Sequence, residues 1–159
     1  MSKQHHYTAT IKWTGNNGTG TTHASHYERA HTVAVTGKPD LLCSSDPAFR
    51  GDSSKYNPED LFLASVAQCH MLWYLHLCAD AGVVVVSYTD DPTGTMVEAS
   101  AEGRGRFIEM TLHPAAVVTD ASMVAKALEL HDKAREMCFI ANSSNFPIGH
   151  SPACTVLEK

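Results

Sequence analysis

What this chain lacks narrows what it can be. Basic residues form no cluster, and 17 Asp and Glu outnumber 12 Lys and Arg, for a net charge of −5. That leaves no electrostatic footprint for nucleic acid or for an anionic membrane surface. No run of about eighteen apolar residues occurs, so no membrane-spanning helix is expected. The opening segment, MSKQHHYTATIKW, has no apolar stretch of the kind a signal peptide needs. The expected compartment is therefore cytoplasmic, where structural disulfides are rare. The five cysteines (Cys43, Cys69, Cys78, Cys138 and Cys154) are odd in number and contain no CxxC pair. Neither a disulfide scaffold nor a cysteine-rich zinc module fits that pattern. HExxH is missing, the GTG at 18–20 and GRG at 103–105 lack the strand–loop–helix setting of a phosphate cradle, and no serine sits in a nucleophile elbow. No cofactor and no metal is expected.

What is present is ordinary globular material. The chain has 159 residues, 43% hydrophobic and 18% charged, enough for one domain over 1–159 with a sizeable core. The first part reads as strands and turns: a strand over 7–13, turn chemistry over 14–22, a partner strand over 26–35, and a polar loop over 43–57 carrying Arg50. A strong helix start follows. Asn57 is a good N-cap, Pro58 suits the first helical position, and Glu59 and Asp60 complement the helix dipole. The helix predicted from there to Gly82 is apolar nearly all the way round, which marks a buried helix. A domain of this size rarely encloses such a helix alone, so a second subunit is expected to help cover it. Strands follow over 83–90, 95–103 and 106–119, with a turn at 91–94. A second helix spans roughly Ala121 to Asn142, with His131 and Asp132 on its polar edge. A loop over 143–152 leads to a last strand, CTVLE. Strands punctuated by two long helices give an α+β domain with antiparallel sheets around those helices.

The stretch NPEDLFLASVAQCHMLW places Cys69 in the middle of the oily helix. Two readings stand. Free cysteine packs as a small hydrophobe, or Cys69 is a nucleophile. A nucleophilic thiol needs positive charge nearby to favour its thiolate. Arg50 is one source, because a guanidinium stays charged and presents several donors, and Glu59 could hold it as an ion pair. The plainer readings are a solvated loop charge for Arg50 and helix-terminal charge for Glu59. Cys138, near the end of the second helix, could pair with Cys69 across a helix interface if their Cα atoms come within about 7 Å. Cys78 lies nine residues after Cys69, half a turn off its face. Of the ten histidines, His5 and His6 are adjacent and offer at most a weak metal site, whereas His70 and His76 face different sides of the helix, as do His26 and His31 on a strand.

These motifs are similar to those of the OsmC/Ohr family of thiol-dependent organic hydroperoxide reductases. NPEDLFLASVAQC resembles the family's NPE-to-cysteine signature, with ten residues from Glu59 to Cys69. KAREMC at 133–138 resembles its second-cysteine helix, except that Phe139 stands where the family usually has proline. FRGDSSKYNPE puts Arg50 nine residues before Glu59, as the OsmC branch places its catalytic arginine. The resemblance implies an OsmC-like fold in an intertwined homodimer. It also implies roles. Cys69 would attack a peroxide and become a sulfenic acid, and Cys138 would resolve it to a disulfide. Arg50 would activate Cys69 and hold the peroxide, with Glu59 orienting Arg50. An external dithiol would then reduce the disulfide. Arg29, in HYERAH, is the alternative arginine, because the Ohr branch draws its own from the N-terminal strands. Phe49, Met71 and Phe139 are candidates to line an apolar pocket that favours organic peroxides. In a straight helix ten residues span about 15 Å, so either the helix breaks between Glu59 and Cys69, or Arg50 and Glu59 serve the Cys69 of a partner chain. The alternative is a non-enzymatic OsmC-like redox sensor or small-ligand-binding protein.

Overall fold

The computed structural model describes residues 3–101 and 103–158. Met1, Ser2 and Lys159 lie outside it, as does Glu102, which falls inside the strand expected over 95–103. The chain divides into two compact units, Met1–Leu61 and Phe62–Lys159.

The first unit is built on an antiparallel three-stranded sheet of β1 (Thr10–Trp13), β2 (His31–Ala34) and β3 (Leu41–Cys43), in that order. β1 and β2 pair as expected, though both strands are shorter than the sequence suggests. The long connection between them spends its polar groups internally. Asn16 Oδ1 accepts from the Gly18 and Gly20 amides, and the Arg29 guanidinium donates to the Ala24 and Tyr27 carbonyls. After β3 the chain makes a single 3-10 turn, Pro47–Phe49, capped by the Asp46 carboxylate and closed by Arg50 in the left-handed region at φ 66°. Gly51 follows because nothing larger fits: a Cβ there would overlap the Ser45 carbonyl.

Helix α1 runs unbroken from Pro58 to Asp80. Asn57 caps it through its side chain, which accepts from the Asp60 amide, while the Asp60 carboxylate accepts from the Asn57 amide. That reciprocal pair is a capping box with its acidic member at Asp60. Gly82, at φ 72°, ends the helix region as the sequence predicts.

The second unit holds two further sheets. One runs β4 (Val85–Asp90), β7 (Pro114–Val118), β9 (Ala153–Val156), and the other β5 (Thr93–Val97), β6 (Arg106–Leu112), β8 (Ile148–His150). Both are mixed, with β6–β8 and β7–β9 parallel, so the expectation of purely antiparallel sheets is corrected. The single strand expected over 106–119 is two strands in different sheets. It turns at His113, whose amide donates to the Asp90 carboxylate, and continues through the buried Pro114. β8 forms inside the segment read as a loop, because Ile148 buries against Val66 and Met110.

The second predicted helix is also interrupted. A 3-10 turn, Ala121–Met123, leads into α2 (Val124–Met137); Cys138 is extended at φ −69°, ψ 106°; and α3 (Phe139–Asn142) starts afresh. Both helices bury a stripe at helical spacing: Val66, His70, Tyr74 and Cys78 on α1, and Ala127, Leu130, His131 and Ala134 on α2. Tyr74 and Cys78 share one core cluster with Ala127, Leu130 and Ala134. The expectation that α1 is enclosed all round holds only in part. Leu72 is 62% exposed, and 22% of the helix's most apolar 18-residue window is buried within this chain. By length and composition alone α1 could cross a membrane, a test that the core helix of a soluble protein also passes.

Candidate functional site

The second unit brings two of the expected residues together. Cys69 sits half-buried on α1, and Cys138 is buried at the break between α2 and α3. The two thiols are close enough for Cys69 to act on the ionisation of Cys138. The break matters because it fixes where the sulfur points: Cys138 Sγ accepts from the Ala141 amide at 3.4 Å and lies 4.0 Å from the Val66 carbonyl. Burial pushes the Cys138 thiol up to about 11, only partly offset by the Ala141 amide, and the contact with Cys69 pushes it further the same way. At neutral pH Cys138 therefore keeps its proton, and its thiol points at the Val66 carbonyl.

Arg50 and Glu59 belong to the first unit. Arg50 is exposed, and its amide donates to the Pro47 carbonyl. Among the described residues Arg50 and Glu59 form no ion pair. Arg29, the alternative, is held by two backbone carbonyls at 2.7 Å each and lies 4.4 Å over the Tyr27 ring. Cys43 is buried in the first unit. Cys78 faces the Tyr74 hydroxyl and Cys154, away from Cys69. Met71 and Phe139, expected around one apolar pocket, attend different features. Met71 lines a cleft of about 280 Å³ with Ala67, Gln68 and Tyr88. Phe139, 67% exposed, packs edge-on against Trp73, which lines another cleft of about 240 Å³ with Leu72 and His76.

The site also contains a feature absent from the sequence reading. His131, expected on a polar edge, is fully buried, and so is His70. His70 Nε2 and His131 Nδ1 share a hydrogen bond of 3.0 Å, and the His131 ring stacks on Tyr74 at 3.8 Å between centroids. His131 Nε2 has no partner. The His150 ring, from β8, lies 5.7 Å from His70 and 6.3 Å from His131 and is paired with exposed Asp132 at 3.2 Å. The signal was available: His131 falls on the stripe of Ala127, Ala134 and Cys138, so its face is the packed one. Among the described residues no three His, Cys, Asp or Glu side chains are grouped to hold a metal ion.

Two cysteines far apart in sequence thus come near each other in an α+β unit. The chain belongs to the OsmC-like family, whose sequence model matches residues 51–150. No curated protein matches it. Among solved structures it is similar to an OsmC-like protein of unknown function from Vibrio cholerae, at 28% identity and a TM-score of 0.84, covering 94% of this chain and 99% of that one. It also resembles an organic hydroperoxide resistance protein from Elizabethkingia anophelis, at 19% identity and a TM-score of 0.68 over the whole of both chains. A third, an organic hydroperoxide resistance protein from Legionella pneumophila, is 20% identical with a TM-score of 0.64, covering 98% and 100% of the two chains. At such identities these last two share the fold.

The histidine pair makes stability depend on pH. Burial, reinforced by neighbouring histidines, pulls His70 from 6.5 down to about 4 and His131 down to about 3. Below pH 6.5 the unfolded chain takes up protons at both positions and the folded chain does not, so stability falls as pH drops from 6.5 towards 4. Two other titratable groups face the pair: Tyr74, which burial raises and which stays neutral there, and His150, which adds to the lowering of both. In urea titrations His131→Leu is expected to lose less stability per pH unit across that window, by about 1.4 kcal/mol for the one proton removed. Equal slopes in the two proteins would contradict this.

Proposed function

We propose that this protein is a cysteine-based reductase of organic hydroperoxides. The observation that carries the reading is the apposition of Cys69 with a proton-bearing Cys138. The Cys69 thiolate attacks the terminal peroxide oxygen. The O–O bond breaks, the alcohol leaves with a proton, and Cys69 becomes a sulfenic acid. Cys138 sulfur then attacks the Cys69 sulfur; the S–S bond forms, and the sulfenic oxygen leaves as water with the Cys138 proton. An external dithiol regenerates both thiols by exchange and ends as its own disulfide. Apolar surface one turn beyond Cys69, at Leu72 and Trp73, suits a hydrocarbon substituent.

Arg50 and Glu59 take part as activating arginine and its orienter in a homodimer. Continuity of α1 between Glu59 and Cys69 supports this arrangement, because ten residues of helix span about 15 Å. The exposure of Leu72 and Phe139 supports a second copy as the cover for apolar surface that this chain leaves open. The protein works in the cytoplasm and needs no cofactor, nucleic acid or membrane.

Steady-state assays with cumene hydroperoxide and dithiothreitol test the reading. Wild type should turn over repeatedly, Cys69→Ser should lose activity by at least about a hundredfold, the scale of removing a nucleophile, and Cys138→Ser should stall as a sulfenic acid. A single oxidation without turnover would instead identify a redox sensor. For the assembly, light scattering at micromolar concentration should give the mass of a dimer, and a monomer would overturn the shared-site arrangement.

A further inference from the structure

We propose that the His70–His131 hydrogen bond is the pin that sets α1 against α2 and thereby holds Cys138 at resolving distance from Cys69. The inference rests on the two-thiol reading above and assigns a positioning role to two residues outside it.

Besides the apolar packing of Tyr74 and Cys78 with Ala127, Leu130 and Ala134, two groups of contacts with polar atoms join these helices. Cys138 meets Cys69 and the Val66 carbonyl, and His131 meets His70 and Tyr74. Later residues of α1 meet earlier residues of α2, so the helices run antiparallel. Two contacts a turn or more apart fix both the sliding and the rotation of one rod against the other; one contact fixes neither. Among the described residues, the other side-chain hydrogen bond joining them runs from Cys138 Sγ to the Val66 carbonyl at 4.0 Å, much longer than the 3.0 Å His70–His131 bond. The positions on α2 that flank His131 are Ala127 and Ala134, both fully buried. Methyl groups give close approach and little interlocking. Apolar burial has no direction, so the orientation must come from the directional bond.

Cys138 depends on that orientation more than a residue inside a helix would. It is the extended residue on which α2 ends, so its sulfur inherits the register of α2. A slip of one residue would shift it by about 1.5 Å and turn it by about 100°. Disulfide geometry tolerates much less. The pair is also an expensive way to fill a core. It buries two imidazoles and leaves His131 Nε2 without a partner, where two hydrocarbon side chains would pack at lower cost. A costly, directional pair beside the thiols fits a demand for geometry more than for stability.

Near-isosteric amides test this by reach. Gln at 70 and Asn at 131 place an amide where the bonded ring nitrogen stood; Asn at 70 and Gln at 131 place it elsewhere. Single-turnover reactions with cumene hydroperoxide would follow loss of the Cys69 thiol and, by dimedone trapping, the lifetime of its sulfenic acid. His70→Gln and His131→Asn should resolve within about threefold of wild type. His70→Asn and His131→Gln should form the sulfenic acid at the wild-type rate and resolve it about tenfold to a hundredfold more slowly, the scale of a misplacement of about 1 Å. The two positions give independent pairs, so an unfolded variant at one leaves the other to decide. If all four variants resolve alike, or if both steps fall together, the pin is overturned. If wild type itself never loses the Cys69 thiol, the two-thiol reading fails first, which is a different result.

Discussion

The contact of α1 with α2 organises the second unit and everything chemical in it. Val66, His70, Tyr74 and Cys78 meet a stripe that runs through Ala127, His131 and Ala134 to Cys138. The same interface buries core, apposes two thiols 69 residues apart in sequence, and hides a pair of neutral histidines. Small residues on α2 let the helices approach. The break after Met137 then turns Cys138 towards α1, because an uninterrupted helix would have carried that side chain onward in regular rotation.

In the proposed mechanism this arrangement divides the chemistry between the two sulfurs. Cys69 is half-buried, whereas Cys138 is buried and keeps its proton at neutral pH. A resolving thiol need not be nucleophilic until a sulfenic acid forms beside it, and its proton is required when water leaves. Burial thus suits Cys138 to the second step and would disqualify it for the first. The aromatic edge of Phe139 on Trp73 sits beside the same break.

Much of this was legible in the sequence, and what was not has physical reasons. The start of α1 could be read residue by residue, since Asn57, Pro58 and the acidic first turn act locally. Family membership was legible from the NPE-to-cysteine spacing. The break at Cys138 was not, because Phe139, Ile140 and Ala141 continue a helical pattern, whereas the cysteine sulfur caps a new helix through the Ala141 amide and reaches across to the Val66 carbonyl. His131 was misread because a histidine beside Asp132 looks like a polar edge, although its spacing from Ala127 and Ala134 placed it on the packed face. The parallel strands β8 and β9 escaped for a similar reason. They are three and four residues long, and their partners β6 and β7 lie tens of residues away.

The most direct test is peptide mapping of the intact protein after one equivalent of cumene hydroperoxide, with the remaining thiols alkylated. The account predicts one disulfide, Cys69 to Cys138, with Cys43, Cys78 and Cys154 recovered as thiols. Recovery of Cys69 as a free thiol, or its pairing with any other cysteine, would contradict it.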